Sequence, residues 1–393
     1  MPRPVEQAAP KMTTQRIVHI VEAFGGGVLS MLVHLANHAA ATGADVTVLH
    51  AIRPETPDDF PSLFHPDIRL VHVEMDREVS LSKDLRGARA LARCLREYRP
   101  TVIHLHSSKA GVLGRVAARI AAPRAKVFYS PHGLSFLRCD VSRLKQFAYL
   151  SFERIAACLG GTIVACSDSE LREINGRIRA KSAVLVENGV DVAEIPARRT
   201  RDDRRIAIGM SGRASFQKNH QAFVQLASEL RASDVEFLWI GGDAAEIPDP
   251  RESRAVACSG WVTRAQALEL TAGLDIYVQT SRWEGMPVAL IEAQVAGLPA
   301  VVTDVVGNRD VVIHGVTGYV ASNADEMARY VALLRDDRQL REQMGESARK
   351  FALHRFSMTS IFRQWRSLYG LDAIPRRADA SYFEHAAPDR VEA

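Results

Sequence analysis

The sequence predicts two α/β domains, each built around a parallel β-sheet. In the first, apolar strands alternate with helices from Arg16 to Glu187. A polar segment, residues 192–204, then follows an Asn-Gly turn, and the strand and helix signals resume at Arg205. The third observation is the stretch 275–304, DIYVQTSRWEGMPVALIEAQVAGLPAVVTD, which has the pattern of a complete strand–helix–strand unit. Such a unit requires a parallel sheet, because both of its strands run in the same direction.

Length and composition exclude several classes of protein. A chain of 393 residues that is 47% hydrophobic can bury a core in each of about two or three domains. Its five cysteines form no Cys-x-x-Cys pair, which argues against a zinc site or a disulfide framework and favours a reducing cytoplasm. No run reaches the roughly 18 apolar residues of a membrane-spanning helix. The N-terminus lacks the apolar region of a signal peptide, so we expect a cytoplasmic protein.

Positive charge is concentrated in the first half of the chain. Residues 1–200 carry 27 Lys and Arg against 20 Asp and Glu, and within 86–181 the counts are 18 against 6. Such an excess could attract anionic lipid headgroups or nucleic acid, or it could form an ordinary solvated surface. No aromatic platform or recognised motif accompanies the charge, so we do not expect nucleic acid as a partner.

The first domain opens with a glycine-rich turn between two strands. A strand over Ile17–Val21 leads to Gly25-Gly26-Gly27, then to a helix and a strand over Asp45–Leu49. Glycine lets a backbone approach a ligand closely, although a plain tight turn would explain the same residues. The spacing fits neither the dinucleotide-binding fingerprint nor a P-loop.

Two histidines follow two strands of the first domain. A helix over Leu81–Tyr98 precedes a strand over Val102–Leu105 and a predicted loop over 106–111, which contains His106 and Lys109. A strand over Lys126–Ser130 ends before Pro131 and His132. Both histidines should therefore lie at the carboxyl edge of the sheet, where open α/β sheets bind ligands. Either a structural or a functional role fits them.

Residues 141–159, VSRLKQFAYLSFERIAACL, form an amphipathic helix. Its apolar surface comes from Leu144, Phe147, Ala148, Leu150, Phe152 and Ile155, and its positive charge from Arg143, Lys145 and Arg154. The helix could pack on the sheet, or its exposed face could dock on an anionic membrane.

The second domain begins with a loop that carries two cations. A strand over Arg205–Met210 leads to Arg213 and Lys218, just before a helix that starts near His220. Two cations beside the free N–H groups of a helix start make an anion site suited to a diphosphate. Further on, Trp261 and Val262 follow a short strand, and Trp261 fits either a binding site or the core.

Two glutamates flank the start of the helix within 275–304. Strands are predicted over Ile276–Gln279 and Ala300–Thr303, with a helix that opens at Pro287 and is stopped by Gly297. Glu284 lies in the loop before this helix. Glu292 falls inside an apolar run, so its carboxylate must find hydrogen-bond donors or shift its pKa. The hydroxyls of a sugar or a ribose are suitable donors.

Taken together, these motifs resemble the retaining nucleotide-sugar glycosyltransferases of family 4. The resemblance rests on Glu284-x7-Glu292, Gly212-Arg213 with Lys218, Asn188-Gly-Val-Asp191, HSSKAGVLGR and YSPHGLSF, and it extends over residues 16–370. It implies the GT-B fold, with two Rossmann-like domains facing a central cleft. The implied divisions are tails at 1–15 and 372–393, domains at 16–191 and 205–355, a linker at 192–204, and a crossover helix at 356–371.

The resemblance also implies roles for individual residues. It assigns catalysis to His132, which would contact the transferred sugar, and to Arg213, Lys218 and Glu284. The residues implied in donor binding are Gly26, Gly27, Arg213, Lys218, Trp261, Val262, Glu284, Gly285, Met286, Pro287, Val288 and Glu292. Among these, Glu292 would bind the ribose, and Arg213 and Lys218 would neutralise the diphosphate. His106 and Lys109 would lie on the acceptor side.

The implied reaction moves a hexose from a nucleotide sugar, UDP-linked rather than GDP-mannose, to a lipid-linked glycan acceptor. No cofactor and no metal are expected, since no Asp-x-Asp element stands between apolar strands. Because the implied acceptor is attached to a lipid, the protein could lie peripherally on the inner face of the plasma membrane. The chain departs from the family at residues 306–310, Val-Gly-Asn-Arg-Asp, where relatives have Gly-Gly-x-x-Glu. A sugar-nucleotide epimerase of similar fold and a noncatalytic membrane scaffold remain as alternatives.

Overall fold

The computed structural model describes residues 15–76, 80–199 and 205–372. The tails predicted at 1–15 and 372–393 lie outside these residues, except for Gln15 and Asp372, as does the end of the predicted linker. Within the described ranges, no helix has the length and apolar character needed to cross a lipid bilayer.

The first domain is a seven-stranded parallel sheet covered by helices. Its strands lie in the order β3-β2-β1-β4-β5-β6-β7. They are β1 Arg16–Val21, β2 Asp45–His50, β3 Arg69–His72, β4 Val102–His106, β5 Lys126–Ser130, β6 Thr162–Ala165 and β7 Ala183–Leu185. The helices are α1 Gly26–Ala41, α2 Leu81–Tyr98, α3 Ser108–Ala121, α4 Arg143–Cys158 and α5 Asp168–Glu173. The central strands are buried because helices cover both of their faces, and most of their side chains are apolar.

The second domain repeats this plan with six parallel strands. Their order is β10-β9-β8-β11-β12-β13. The strands are β8 Ile206–Ser211, β9 Val235–Ile240, β10 Ala257–Cys258, β11 Ile276–Gln279, β12 Ala300–Thr303 and β13 Gly318–Ala321. The helices are α6 His220–Glu229, α7 Pro250–Ser253, α8 Arg264–Ala272, α9 Val288–Ala296, α10 Asn308–Val311, α11 Ala324–Asp336 and α12 Arg338–Arg355, and α13 Met358–Tyr369 follows.

The predicted strands β5, β11 and β12 have the bounds that the sequence indicated. One prediction was wrong: the loop over 106–111 is much shorter, because His106 still belongs to β4 and α3 begins at Ser108. Lys109 therefore lies in the first turn of a helix. Strand β3 was not predicted, since its residues are only partly buried and carry a weak apolar signal.

Helix α13 returns to the first domain. Trp365 and Tyr369 are buried in a core that also contains residues of α1. The Tyr369 hydroxyl lies 2.6 Å from Nδ1 of His104 on β4, and a parallel bridge pairs Val190 with Ser357 just before the helix. The last helix thus joins the second domain to the sheet of the first.

A layer of histidines lies on the face of the first sheet that α13 covers. His19 on β1 is in register with His104 on β4, and His106 lies two residues further along the same strand. All three side chains are buried. Burial lowers the pKa of His19 to about 3 and holds the pKa of His104 and His106 well below the usual range. The rings are therefore neutral in the folded protein at neutral pH.

We expect this layer to make the fold sensitive to acid. Below about pH 6.5 these histidines bind protons in the unfolded chain but stay neutral in the folded protein. The free energy of unfolding therefore falls as the pH falls. For His19 the loss is about 1.4 kcal/mol per pH unit between about pH 5.5 and 4.5. His19→Phe should flatten the dependence by that amount in denaturant titrations at several pH values.

Leu105→Ala is the matched control. Leu105 lies between His104 and His106 on β4, is equally buried and has no group that titrates. The substitution should lower the free energy of unfolding at every pH and leave the slope unchanged. An equal slope in His19→Phe and the wild type would contradict the prediction.

Candidate active site

The two domains meet closely at the carboxyl ends of their central strands. Gly285, in the loop after β11, lies against His132 and Gly133, which follow β5. A Cβ atom added to Gly285 would lie 2.6 Å from the Gly133 nitrogen and 2.8 Å from the His132 carbonyl carbon. Only glycine fits at this approach. His132 itself has a left-handed backbone with φ of 55°, a conformation that costs free energy and is concentrated at functional sites.

The loop after β8 presents the two predicted cations. Gly212 has φ of 148°, and a Cβ atom added to Gly212 would lie 3.4 Å from Cε of Lys218. Lys218 Nζ donates to Glu284 Oε1 at 2.8 Å. Arg213 Nη1 donates to Oε1 of Glu55, a residue of the first domain, at 2.7 Å. Both cations thus have a carboxylate partner, and the Arg213 pair spans the cleft.

Glu284 is buried and heavily hydrogen-bonded. Besides Lys218, its carboxylate accepts hydrogen bonds from Ser281 Oγ at 2.7 Å, from Gln279 Nε2 at 3.1 Å and from Gln217 Nε2 at 3.3 Å. These donors compensate the cost of burying the charge. They also fix the Lys218 ammonium beside the loop, so Glu284 acts here as the support of a cation. Its predicted contact with a sugar stays a prediction.

Glu292 finds its donors in another helix. Burial raises the pKa of the Glu292 carboxyl, and the ion pair and hydrogen bond with Arg264 Nη1 oppose this rise. Arg264 Nη2 also donates to Glu194 at 3.1 Å. Arg264 is the first residue of α8, which Thr263 caps. No sequence pattern linked it to Glu292, because the two residues are far apart in the chain.

The predicted glycine turn is shorter than expected, because Gly26 and Gly27 are the first residues of α1, and the start of this helix faces the start of α9. A Cβ atom on Gly27 would lie 3.4 Å from Val288 Cγ2, and Gly26 has φ of 53° with open space around a Cβ. Pro287 precedes the helix, and the Met286 carbonyl accepts from Asn188 Nδ2 at 2.8 Å. The first backbone N–H groups of α9 have no partner within the helix and can bind an anion.

The remaining predicted residues are less close to the cleft. His106 is buried behind His132, with 3.0 Å between His106 Nδ1 and His132 Nε2. Lys109 Nζ pairs with Asp84 of α2 at 2.7 Å. Trp261 is 70% exposed, which rules out the core for this side chain, while Val262 packs against the core of the second domain.

Asp310 links the second domain to the first. Its carboxylate accepts hydrogen bonds from the Ser169 nitrogen at 3.1 Å and from the Ser169 hydroxyl, and from the Gly307 nitrogen at 3.2 Å. The residue that departs from the family pattern thus caps α10 and ties it to α5. Sequence reasoning missed Ser169 and Glu55, because each lies in a polar segment without a distinctive motif.

This arrangement can stabilise an anion. Arg213 and Lys218 lie on the loop after β8, and Lys218 reaches the loop that precedes α9. Charges and amides held in place in this way stabilise an anion. His132 lies where the first domain approaches Gly285, whereas the buried Glu292 is held by Arg264. A phosphate group matches the cations and amides of this set.

Comparison with known proteins points to the same chemistry. Residues 26–189 match the family described as glycosyl transferase 4-like domain, and residues 191–351 match glycosyl transferases group 1. An Escherichia coli enzyme, UDP-Gal:alpha-D-GlcNAc-diphosphoundecaprenol alpha-1,3-galactosyltransferase, is 28% identical over 75% of this chain and 81% of its own. The Staphylococcus aureus capsular polysaccharide biosynthesis glycosyltransferase CapM is 23% identical over 77% of this chain and 85% of its own.

Solved structures confirm the predicted GT-B fold. Sucrose-phosphate synthase from Thermosynechococcus elongatus superposes with a TM-score of 0.77 at 18% identity, over 91% of this chain and 98% of that one. Anabaena Alr3699/HepE, solved in complex with UDP and glucose, gives a TM-score of 0.69 at 18% identity, over 91% and 99%.

We expect Glu55 to compete with a bound diphosphate for Arg213. Glu55→Gln should tighten the binding of UDP by about two- to fivefold, since a half-exposed ion pair contributes up to about 1 kcal/mol. Isothermal calorimetry on the full chain measures the change. Glu346→Gln, which removes a surface pair with Lys350, is the control and should leave UDP binding as it is. Weaker binding in Glu55→Gln would show that the carboxylate supports the ligand instead.

Proposed function

Because the chain belongs to the group 1 glycosyltransferases, with a glycosyl transferase 4-like first domain, we propose that it transfers a hexose from a UDP-sugar to a lipid-linked glycan. The product would be part of a bacterial surface polysaccharide. One observation carries the proposal: the loop after β8 carries two cations, of which Lys218 pairs with Glu284 in the loop before α9 and Arg213 pairs with Glu55 of the other domain. A nucleoside diphosphate sugar needs such a site for its pyrophosphate.

The proposed donor is supported by the relatives and by the second domain. The E. coli relative is named for UDP-galactose, and the Anabaena structure contains UDP. In this chain, Glu292 is assigned to the ribose, with Arg264 holding its carboxylate. Trp261, exposed three residues before Arg264, offers an aromatic face for the base.

In the proposed reaction, the bond between the anomeric carbon and the β-phosphate oxygen breaks and negative charge develops on that phosphate. Arg213, Lys218 and the α9 amides stabilise this charge in the transition state more than they stabilise the bound ground state, and they do so without a metal ion. Lys218 has three N–H donors, of which one goes to Glu284, so two can reach the phosphate. Glu284 positions the lysine, and His132 contacts the sugar.

Retention of configuration is part of the proposal. The acceptor hydroxyl attacks the anomeric carbon from the face that the leaving group vacates, and its proton passes to the departing β-phosphate oxygen. The new glycosidic bond thus forms on the same face as the broken bond. An epimerase would instead release a free epimer, so the product separates the two reactions.

Removing either cation should disable transfer. Arg213→Ala and Lys218→Ala should each lower kcat/KM by a factor that corresponds to about 2 to 4 kcal/mol of transition-state stabilisation. In the proposed reaction each of these side chains contacts the charge that develops in the transition state. The assay follows release of UDP and labelled product from a panel of UDP- and GDP-sugars with a lipid-linked acceptor.

Lys350→Ala removes a lysine from a surface ion pair on α12 and is the matched control for turnover. Arg213→Ala is the cleaner test of the two, because Lys218→Ala also leaves the buried Glu284 without its cation. Thermal unfolding of each variant separates loss of stability from loss of rate. Near-wild-type turnover in Arg213→Ala would reject the assignment.

We further propose that α4 attaches the first domain to an anionic membrane, where a lipid-linked acceptor resides. The α4 apolar face consists of four side chains that are 54% to 78% exposed, Leu144, Phe147, Phe152 and Ile155, and Leu159, 39% exposed just after the helix, extends it. Helical spacing places them together, opposite the buried Leu150, Glu153 and Ala156. Exposed Arg143, Lys145 and Arg154 flank this face. Apolar side chains bordered by cations suit a surface of anionic lipids.

Replacing Leu144 and Phe147 with serine should release the protein from membranes. The double variant should bind phosphatidylglycerol vesicles at least about tenfold more weakly, since each side chain contributes roughly 1.5 to 3 kcal/mol when buried. Vesicle sedimentation measures the binding, with pure phosphatidylcholine as the uncharged reference. The control changes Leu85 and Leu333, which are 52% and 41% exposed on other helices, and should bind as the wild type does. Equal binding by both double variants would contradict a role for α4.

A further inference from the structure

A row of three histidines runs from the cleft into the first domain. His132 Nε2 lies 3.0 Å from His106 Nδ1, and His106 Nε2 lies 3.1 Å from His19 Nδ1. The planes of the His106 and His132 rings are only 7° apart. His19 Nε2 is buried and, among the described residues, has no hydrogen-bond partner. We call His132, His106 and His19 the histidine row.

The three rings are neutral at neutral pH. Burial lowers the pKa of His132 to about 4 and of His19 to about 3, and it holds the pKa of His106 well below the usual range. A neutral imidazole has one N–H donor and one lone pair. Two hydrogen bonds between three such rings therefore require all N–H groups to point the same way along the row.

The two possible directions differ at the ends of the row. If the N–H groups point away from the cleft, His19 Nε2 is a buried N–H without an acceptor. If they point toward the cleft, every Nδ1 is protonated and the unpartnered atom of His19 is a lone pair. An orphaned buried N–H is the rarer of the two in proteins, so the network favours the second direction.

We propose that His106 and His19 are positioning residues that hold His132 in the tautomer with Nδ1 protonated, so that His132 donates a hydrogen bond to an oxygen of the bound sugar donor. The identity of that ligand rests on the proposed function. Among the described residues, the hydrogen-bonded ring atom of His132 is Nε2, which leaves Nδ1 for a ligand. His132 then presents a donor rather than a base, and this fits a reaction in which the leaving phosphate receives the acceptor's proton.

A metal ion is the competing explanation for this cluster. Ring nitrogens of His19, His104 and His106 lie within 4.8 Å of one another. However, both ring nitrogens of His104 are already hydrogen-bonded, Nδ1 to the Tyr369 hydroxyl at 2.6 Å and Nε2 to the Ser130 hydroxyl at 2.9 Å. A metal would have to break one of these bonds, whereas the histidine row uses the contacts that are present.

Nitrogen NMR of the full chain, labelled in its histidine rings, tests the inference directly. We expect His132, His106 and His19 each to show a protonated Nδ1 and an unprotonated Nε2. A protonated Nε2 on His132 would overturn the proposal, as would a stoichiometric transition metal found by elemental analysis. In His19→Phe the first donor of the row is lost, and the His132 signals should shift toward a mixture of tautomers.

Kinetics of sugar transfer give the second readout. His19→Phe should lower kcat about fivefold, the effect of about one hydrogen bond, with the KM for the donor changed less than kcat. His19→Asn places an amide nitrogen near the Nδ1 position and should recover most of the loss. His104→Phe, which removes an equally buried ring outside the row, should leave the His132 tautomer unchanged. A mixed tautomer in His104→Phe, or equal kcat in His19→Phe and the wild type, would contradict the positioning role.

The two readouts separate this inference from the proposed function. If the chain transferred no sugar while His132 still showed a protonated Nδ1, the proposed function would fail and the tautomer assignment would stand. If transfer occurred with His132 protonated at Nε2, the tautomer assignment would fail and the proposed function would stand.

Discussion

The ion pair between the partly exposed Lys218 and the buried Glu284 is the interaction on which the cleft depends. It joins the loop after β8 to the loop after β11, two neighbouring strands of the second sheet. A carboxylate in this position would be costly without compensation, and Ser281, Gln279 and Gln217 supply further donors. The pair therefore fixes a cation at the carboxyl edge of the sheet while keeping the loop that precedes α9 in place. Such preorganisation is what a site for a developing negative charge requires.

Acidic partners recur around this centre. Arg213 pairs with Glu55 of the other domain, and Arg264 at the start of α8 pairs with Glu292 of α9. These contacts keep the cations ordered. The three pairs differ in how readily a diphosphate could replace the carboxylate beside the cation. Lys218 and Glu284 are largely buried, whereas the side chain of Arg213 is 46% exposed. Arg213 is thus the cation whose partner a ligand can most easily displace.

The first domain contributes a different kind of support. Its polar residues at the cleft are backed by the buried histidine layer, which α13 closes through Tyr369 and Trp365. A helix from the end of the chain thereby holds the sheet that presents His132. On the outer surface of the same domain, α4 leaves an apolar face uncovered by any described residue of the chain. In the proposed function, this domain holds a sugar on one side and meets a lipid surface on another.

The sequence by itself determined the alternation of strands and helices, the parallel sheets, and the loops that carry Arg213, Lys218, Glu284 and His132. These follow from local periodicity and from turn and capping residues, which act over a few positions along the chain. Only the tertiary structure decided the partners of these residues. Arg264 beside Glu292, Glu55 beside Arg213 and His19 behind His106 are pairs far apart in the chain, brought together by strand order and by the approach of two domains. The same holds for exposure: the pattern of α4 shows an apolar stripe, but only packing against the rest of the domain decides which side chains remain in solvent.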